Sequence, residues 1–321
     1  MSRISQPMQY DPTAAIDTMV ARDENGVVGV TPALLCTVYL RHDFEPERRR
    51  AIREVIQQYV ALAKDGLRWL MPTKKGARRI DVSTVATALD ANLASIEDSG
   101  DSWELHLHGG EQPEAASDLG IDVFLRARWE QEPPPNQLSY VSFRFPLLWF
   151  ADKKPGFPSF VLRACEQLEP LHGYGGIGLI TAADRFLASH FTDMVVSLAE
   201  RFPGLEIDYP VSHLIWVRAG IKGVNWLTIL GEGEIARFGG LDTLKAALPS
   251  TATVHAYRGG LMIQASPMPQ IGDRNRQVDV DDYRKVAVAL KPIRISTHSG
   301  VGGGGFDRER FERWLARFDQ Q

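Results

Sequence analysis

The period with which apolar residues recur changes along the chain, and this change constrains the fold most. A buried strand is predicted over Val27–Leu40, and an amphipathic helix over Glu45–Lys64, where Pro46 suits the first turn and apolar side chains recur every three or four residues. A second helix is predicted over Ser83–Ile96, with Ser83 as its N-cap. After it the period changes to two, which is the period of a strand.

Three successive segments have this period of two. Apolar residues alternate with polar or charged ones in 103–108, in 123–129 and in Tyr140–Phe145, and Trp129 falls among the inward positions. Short strands joined by turn-rich loops predict an antiparallel meander. The preceding stretch Leu67–Ile80 is basic and contains Pro72 and Gly76, so a loop is predicted there.

The second half repeats the mixture of helices and strands. The helices are predicted at Phe160–Leu168, Ala183–Phe202, Asp242–Leu248, Asp281–Leu290 and Arg308–Phe318, and the strands at His172–Ile180, Val224–Leu230, Thr253–Tyr257 and Leu261–Ala265. The expected class is α+β, with antiparallel-rich sheets flanked by helices. Prolines near Pro155–Pro158 suggest a boundary between residues 1–150 and 151–321. Two similar halves, or one compact domain built from both, remain open alternatives because no sequence repeat is found.

Composition narrows the class of protein. The chain of 321 residues is 44% hydrophobic and 24% charged, close to the average for globular domains. Neither a run long enough for a membrane helix nor a secretory signal is recognised. Cys36 and Cys165 are far apart in apolar surroundings, which favours buried thiols and a cytoplasmic location.

The net charge of −4 conceals two opposed blocks. Residues 41–80 carry eleven Lys and Arg against five acids, whereas residues 81–125 carry ten acids and neither Lys nor Arg. Solvated helix faces and loops would account for both blocks. Alternatively, the acidic block steers and binds a basic protein partner. The acidic block makes direct nucleic-acid binding by the basic one less favourable.

No motif predicts a catalytic, cofactor-binding or metal site. The glycine-rich run Gly173–Gly178 lacks the context of a phosphate loop, and Gly302–Gly305 suits a flexible connector. His106 and His108 share one strand face with Glu104 and could begin a metal site, but three ligands in a flat row converge poorly on one ion. Neither a GxSxG nor an HExxH motif occurs, and Cys165 lies in a helical apolar stripe.

Several runs nevertheless resemble a known family. They are GIKGVNWLTILGEGEIARFGG (Gly220–Gly240), YRGGLMIQASPMPQIGDRNRQVDVDDYRKVAVALKPI (Tyr257–Ile293), HGYGGIGL and FRFPLLWF (Phe143–Phe150). Together with the basic helix they resemble the type VI secretion immunity family, long known only as a domain of unknown function. Of the residues in these runs, Trp226 is expected in the core, and Gly239–Gly240 and Gly259–Gly260 in turns.

The resemblance implies a cytoplasmic antitoxin that is not an enzyme and needs no cofactor or metal. Its expected partner is a cognate type VI effector, a DNase-like toxin that it neutralises by tight binding, with no direct contact to nucleic acid or membrane. The expected partner-binding residues are acidic: Glu97, Asp98, Asp101, Glu104, Glu111 and Glu114. One alternative is a metal-dependent hydrolase or nuclease that uses His106 and His108. A structural component of a secretion apparatus is the other.

Overall fold

A computed structural model describes residues 12–72, 76–81, 83–98, 102–132, 137–151, 156–301 and 305–319. Its main sheet contains β1 (Ala21–Arg22), β2 (Val28–Leu40), β3 (Trp69–Pro72), β4 (Arg78–Arg79), β5 (Trp103–His108), β6 (Gly120–Leu125), β7 (Ser139–Phe145), β8 (His172–Thr181), β9 (Glu206–Ile207), β10 (Leu227–Gly231), β11 (Thr253–Tyr257) and β12 (Gly260–Gln264). A second sheet pairs β13 (Gly300–Val301) with β14 (Phe306–Asp307).

The helices alternate with these strands along the chain. They are α1 (Pro46–Ala63), α2 (Val85–Asp98), α3 (Arg128–Gln131), α4 (Phe157–Leu168), α5 (Arg185–His190), α6 (Thr192–Arg201), α7 (Pro210–His213), α8 (Glu232–Phe238), α9 (Leu241–Ala247), α10 (Asp281–Ala289) and α11 (Arg308–Leu315). Short 3₁₀ segments lie at Pro12–Met19, Lys64–Gly66, Arg274–Arg276 and Lys291–Ile293. In the part of the chain described, none of the helices has the length and apolar character needed to cross a bilayer.

The main sheet is almost entirely antiparallel, in the order β11-β12-β10-β8-β2-β7-β6-β5-β3-β4. Strand β9 adds the parallel pairing, alongside the end of β8. The predicted α+β class is therefore confirmed. Because β2 pairs with β8 from Val30 to Tyr39, one sheet runs through residues from both sides of position 150. The proposed division into 1–150 and 151–321 stays a prediction.

One face of the sheet carries the main core. Helices α1 and α4 pack on it through aromatic contacts: Tyr59 of α1 lies 5.1 Å from Phe145 of β7, and Phe160 of α4 lies 5.3 Å from Phe143, measured between ring centroids. Leu89 and Leu93 of α2 are buried in the same core. The opposite face, which we call the open face, reaches solvent over β5 and β6, and residues 206–225 contact it over β7, β2 and β8.

Three local predictions were wrong. The basic stretch Leu67–Ile80 is not only a loop but forms β3 and β4 at the edge of the sheet. Its exposed arginines obscure the alternating pattern of a strand in the sequence. Charged side chains on an edge strand also discourage pairing with the sheet of another molecule. Ala183–Phe202 is two helices, α5 and α6, because Phe191 leaves the helical conformation and its ring packs over Gly29. Ser83 is not the N-cap of α2, since the Asp81 carboxylate accepts the Ser83 and Thr84 N–H groups.

Trp129 was also predicted wrongly, as an inward strand residue. Strand β6 ends at Leu125, and Glu130 then accepts a hydrogen bond from the Ala127 N–H, which starts the short helix α3. Trp129 lies on that helix with 70% of its surface exposed. By contrast, Trp226 is buried, and Gly239, Gly240 and Gly259 have positive φ, as the predicted core position and turns require.

Candidate partner-binding face

The strand register aligns the open-face side chains into rows across the sheet. The first row runs Glu104, Phe124, Tyr140, Tyr39 and His172 from β5 to β8. The second row contains His106, Asp122, Ser142, Thr37, Tyr174 and Thr228, and reaches β10. The parts of both rows on β5 and β6 reach solvent, whereas the parts on β2 and β8 are buried.

A bidentate ion pair organises the β5–β7 part. Arg144 donates to both oxygens of Asp122, at 2.6 and 3.0 Å, and His106 Nδ1 lies 3.1 Å from the same carboxylate. Burial alone would raise the pKa of Asp122, but Arg144 and His106 outweigh it and lower that pKa to about 2. For His106, burial lowers the pKa, yet the bond to Asp122 leaves the pKa raised.

Gly120 makes the Arg144 geometry feasible. It lies opposite Arg144 in the ladder, and a Cβ at this position would sit 2.6 Å from Arg144 Nη2. The arginine can therefore cross the glycine to reach Asp122 on the neighbouring strand. A larger residue at position 120 would displace it.

His108, the other histidine of the predicted metal alternative, is held by its own loop. Its Nδ1 accepts the Gly110 N–H at 3.1 Å, and its Nε2 lies 3.2 Å from the Pro113 carbonyl, to which it donates. Burial and the positive charge of Arg144 lower its pKa to about 4. Within the described residues, no group of three or more His, Cys, Asp or Glu side chains is arranged to hold a metal ion.

Asp208, in the covering segment, contacts three side chains of the second row. Its carboxylate accepts hydrogen bonds from Tyr174 Oη at 2.6 Å, Thr37 Oγ1 at 3.0 Å and Ser142 Oγ at 3.1 Å. Burial raises its pKa, although Lys222 and these donors act in the opposite direction. This aspartate therefore joins β2, β7 and β8 to the segment that covers them.

A buried ion pair lies beneath that segment. Lys222 Nζ lies 2.8 Å from Glu206 Oε1, and the two side chains are 1% and 3% exposed. Asn225 donates to the other Glu206 oxygen at 3.0 Å. Gly176 on β8 provides space for this amide, because a Cβ there would lie 2.1 Å from Asn225 Oδ1. The glycine-rich strand thus serves close packing.

The predicted contact residues do not form one cluster. Glu97 and Asp98 end α2, which precedes β5, and Asp101 lies outside the described residues. Glu104 lies on the open face, half-buried. Glu111 and Glu114 follow β5 at its other end; Glu111 is 3.5 Å from Arg22, and the Glu114 carbonyl accepts the Asp184 N–H. The six residues of β5 separate the two ends by about 20 Å.

The basic block is divided between structure and surface. Arg48 bonds Glu169 and the Leu168 carbonyl, and Arg49 is buried with a bond to the Asp43 carbonyl. Arg78 and Arg79 are exposed on the edge strand β4. The described residues of this block therefore do not form one continuous phosphate-binding surface.

Sequence reasoning missed Asp208, Tyr140 and Arg144. The alternation within Tyr140–Phe145 placed Tyr140 and Arg144 on one face, but the neighbours of that face depend on the pairing of strands far apart in sequence. Asp208 follows a strand of only two residues. Nothing local marks it as a residue that contacts the sheet.

Comparisons with known proteins identify the fold and the family. The Pseudomonas aeruginosa T6SS protein PA0821 shares the fold, with a TM-score of 0.83 and 24% sequence identity over 94% of this chain and 87% of that chain. No curated protein matches the chain significantly. The fold is thus that of a protein associated with type VI secretion.

A family model gives the particular assignment. The model TsiV, described as type VI immunity for VRR-NUC, matches residues 51–318. The chain belongs to this family. The resemblance found in the sequence is confirmed, and so is the prediction of an immunity protein directed against a nuclease effector of type VI secretion.

Proposed function

We propose that this chain acts as a stoichiometric inhibitor that binds its VRR-NUC effector directly and catalyses no reaction itself. The observation that carries the proposal is the family match over residues 51–318. The side chains that a metal-dependent alternative would use are engaged elsewhere, His106 by Asp122 and His108 by Gly110 and Pro113. They stabilise strands and a loop.

The proposed place of action is the cytoplasm, where the effector would reach DNA. Both cysteines are free and buried thiols, as a reducing compartment allows. Burial raises the pKa of both Cys36 and Cys165, which keeps them protonated and unreactive. Neither thiol is therefore expected to take part in catalysis.

We further propose that the acidic residues contact the effector, as two sets on either side of Glu104. The first set is Glu97, Asp98 and Asp101 before β5, and the second is Glu111 and Glu114 after it. A nuclease binds phosphates with Lys and Arg, so acidic side chains complement its surface. Contact could cover the nuclease cleft or separate subunits of the effector, and the native mass of the effector in the complex distinguishes these mechanisms.

A toxicity assay tests the proposed function. The cognate VRR-NUC effector is expressed in a sensitive host, alone or together with this chain, and viable cells are counted. We expect killing by the effector alone and survival on co-expression. A catalytically inactive effector is the matched control. Continued killing despite abundant folded chain would contradict the proposal.

The two acidic sets are compared by measuring the rate at which each variant associates with the catalytically inactive effector. One variant reverses Glu97, Asp98 and Asp101 to Lys, and the other reverses Glu111 and Glu114. We expect each to slow association, since charges at an interface rim act mainly on the association rate. Association rates equal to that of the wild-type chain for both variants would remove these residues from the interface.

A further inference from the structure

We infer that the β5–β7 end of the first row, where the half-buried Glu104 and Phe124 adjoin the buried Tyr140, is the seat for one basic side chain of the nuclease, a lysine or an arginine. This inference rests on the proposed function and specifies its contact chemistry. Glu104 was in the predicted acidic set; Phe124 and Tyr140 were not. The three side chains lie directly across from one another on β5, β6 and β7.

Tyr140 is the most informative of the three. The residue is only 2% exposed, and its ring lies 6.1 Å from that of Phe124. Among the described residues, its hydroxyl has no hydrogen-bond partner, although it lies within electrostatic range of Glu104, Asp122 and Asp208. This oxygen is not among the fully buried polar atoms that lack a partner, so it keeps a narrow contact with solvent. An acceptor oxygen that lacks a partner suits an incoming N–H donor.

The charges around the row favour a cation. Within the described chain, the half-buried Glu104 carboxylate makes no ion pair, whereas Asp122 is neutralised by Arg144. Asp208 accepts three hydroxyl donors, and the nearby positive charge of Lys222 acts to lower its pKa. Glu104 is thus the carboxylate of the accessible row that still lacks a positive partner.

Phe124 already lies beside a cation. The guanidinium of Arg126 lies 4.4 Å from its ring centroid, and Glu130 holds that guanidinium at 2.7 Å. Because Arg126 has this carboxylate of its own, it does not neutralise Glu104. A second cation at Glu104 would combine one carboxylate, one phenolic oxygen and the edge of an aromatic surface.

This donor set matches Lys and Arg better than other side chains. Both carry only donors, so a carboxylate and a hydroxyl oxygen satisfy them. Both also interact favourably with aromatic rings. A nuclease carries such residues where it binds phosphate, so occupation of this seat would withdraw a phosphate-binding group from DNA.

Two conservative variants test the seat, Tyr140→Phe and Glu104→Gln. Binding of each to the catalytically inactive VRR-NUC effector is measured by calorimetry, with thermal unfolding as the folding check. Buried charge pairs and central contacts at interfaces are hot spots, so Kd should rise about tenfold or more for Glu104→Gln and about fivefold for Tyr140→Phe. Glu54→Gln is the matched control, because Glu54 is exposed on α1 at the opposite face of the sheet, and a change of about twofold or less is expected there.

Charge reversal identifies the partner residue. Glu104→Lys should abolish tight binding, and one Lys→Glu or Arg→Glu substitution in the effector should restore it. Wild-type affinity for both Tyr140→Phe and Glu104→Gln, or no restoring substitution among the basic residues of the effector, would overturn the inference. If the wild-type chain itself fails to bind the effector, the proposed function fails instead, so the two failures are distinguishable.

Discussion

The polar groups of the two rows differ between the half of the open face that residues 206–225 cover and the half that they leave uncovered. Over β2 and β8, residues 206–225 lie on the rows, and every charge there has a partner: Lys222 bonds Glu206, and Asp208 accepts three hydroxyl groups. Over β5 and β6 the row side chains reach solvent. Within the described residues, Glu104 makes no ion pair there, and Tyr140 on the adjoining strand β7 is buried without a hydrogen bond.

This difference separates the polar groups that stabilise the fold from those that are available to bind a partner. Buried polar groups that are fully partnered hold the fold together, and removing one partner leaves the other unpaired. Polar groups that are accessible and unpartnered contribute little to stability or reduce it, so we attribute their presence to binding. Substitutions in the covered half should therefore affect unfolding, and those in the uncovered half should affect binding.

Among the single substitutions, the largest effect on stability is expected from Lys222→Met. The change leaves the Glu206 carboxylate buried without its cation, which should lower the free energy of unfolding by about 3–5 kcal/mol. Chemical denaturation measures this loss. In the double variant with Glu206→Gln, part of the loss should be recovered, because both charges are then absent. Equal stability of Lys222→Met and wild type would contradict the conclusion that the polar groups of the covered half stabilise the fold.

Acid should destabilise the covered half next. His213 Nδ1 lies 3.0 Å from His298 Nε2, and both rings are buried. Burial and the nearby Lys222 lower both pKa values, that of His298 to about 4, and burial lowers the pKa of His172 to about 4. A histidine with a lowered folded pKa binds fewer protons when folded, so stability is lost as pH falls below the ordinary value of 6.5.

Each such histidine should remove about 1.4 kcal/mol per pH unit between 6.5 and its folded pKa. Urea unfolding at pH 7 and pH 5 measures the total. Because Gln does not titrate, the variant His298→Gln should lose less stability than wild type between these two pH values. His106, whose pKa is raised, acts in the opposite direction. Identical unfolding curves at both pH values would contradict this account.

A smaller loss is expected from Asp208→Asn. The substitution keeps the shape but weakens the bonds from Thr37, Ser142 and Tyr174, for which about 1–3 kcal/mol is expected. Denaturation in parallel with Asp184→Asn, which alters the N-cap bond to the Leu187 N–H, provides a comparison with a more exposed carboxylate. A loss no larger than that of the N-cap variant would mean that Asp208 does not join the cover to the sheet.

The smallest stability effects are expected in the uncovered half. Tyr140→Phe removes a hydroxyl without a partner, and Trp129→Ala removes a mostly exposed ring. Both should change the free energy of unfolding by about 0.5 kcal/mol or less. Thermal unfolding checks this. A loss comparable to that of Asp208→Asn would show that the uncovered half is also structural.

Much of the local structure was predictable, whereas most of the site was not. The helix predicted at Glu45–Lys64 is α1 at Pro46–Ala63, and Thr253–Tyr257 is β11 as predicted. Periodicity predicts such elements because the residues of the buried face recur at a fixed interval within the element. The rows depend on pairings such as Thr37 with Ser142, which the sequence separates by 105 positions. Of the row residues, the sequence indicates only Glu104 and His106 as candidates for a site.

The most direct test of the central claim is a titration of effector nuclease activity with the purified chain. A fixed amount of the VRR-NUC effector is mixed with increasing amounts of this chain, and cleavage of DNA is measured. The account predicts that activity falls linearly to zero at a fixed molar ratio of the two proteins, with no DNA binding by the chain itself. Full activity in the presence of excess folded chain would contradict it.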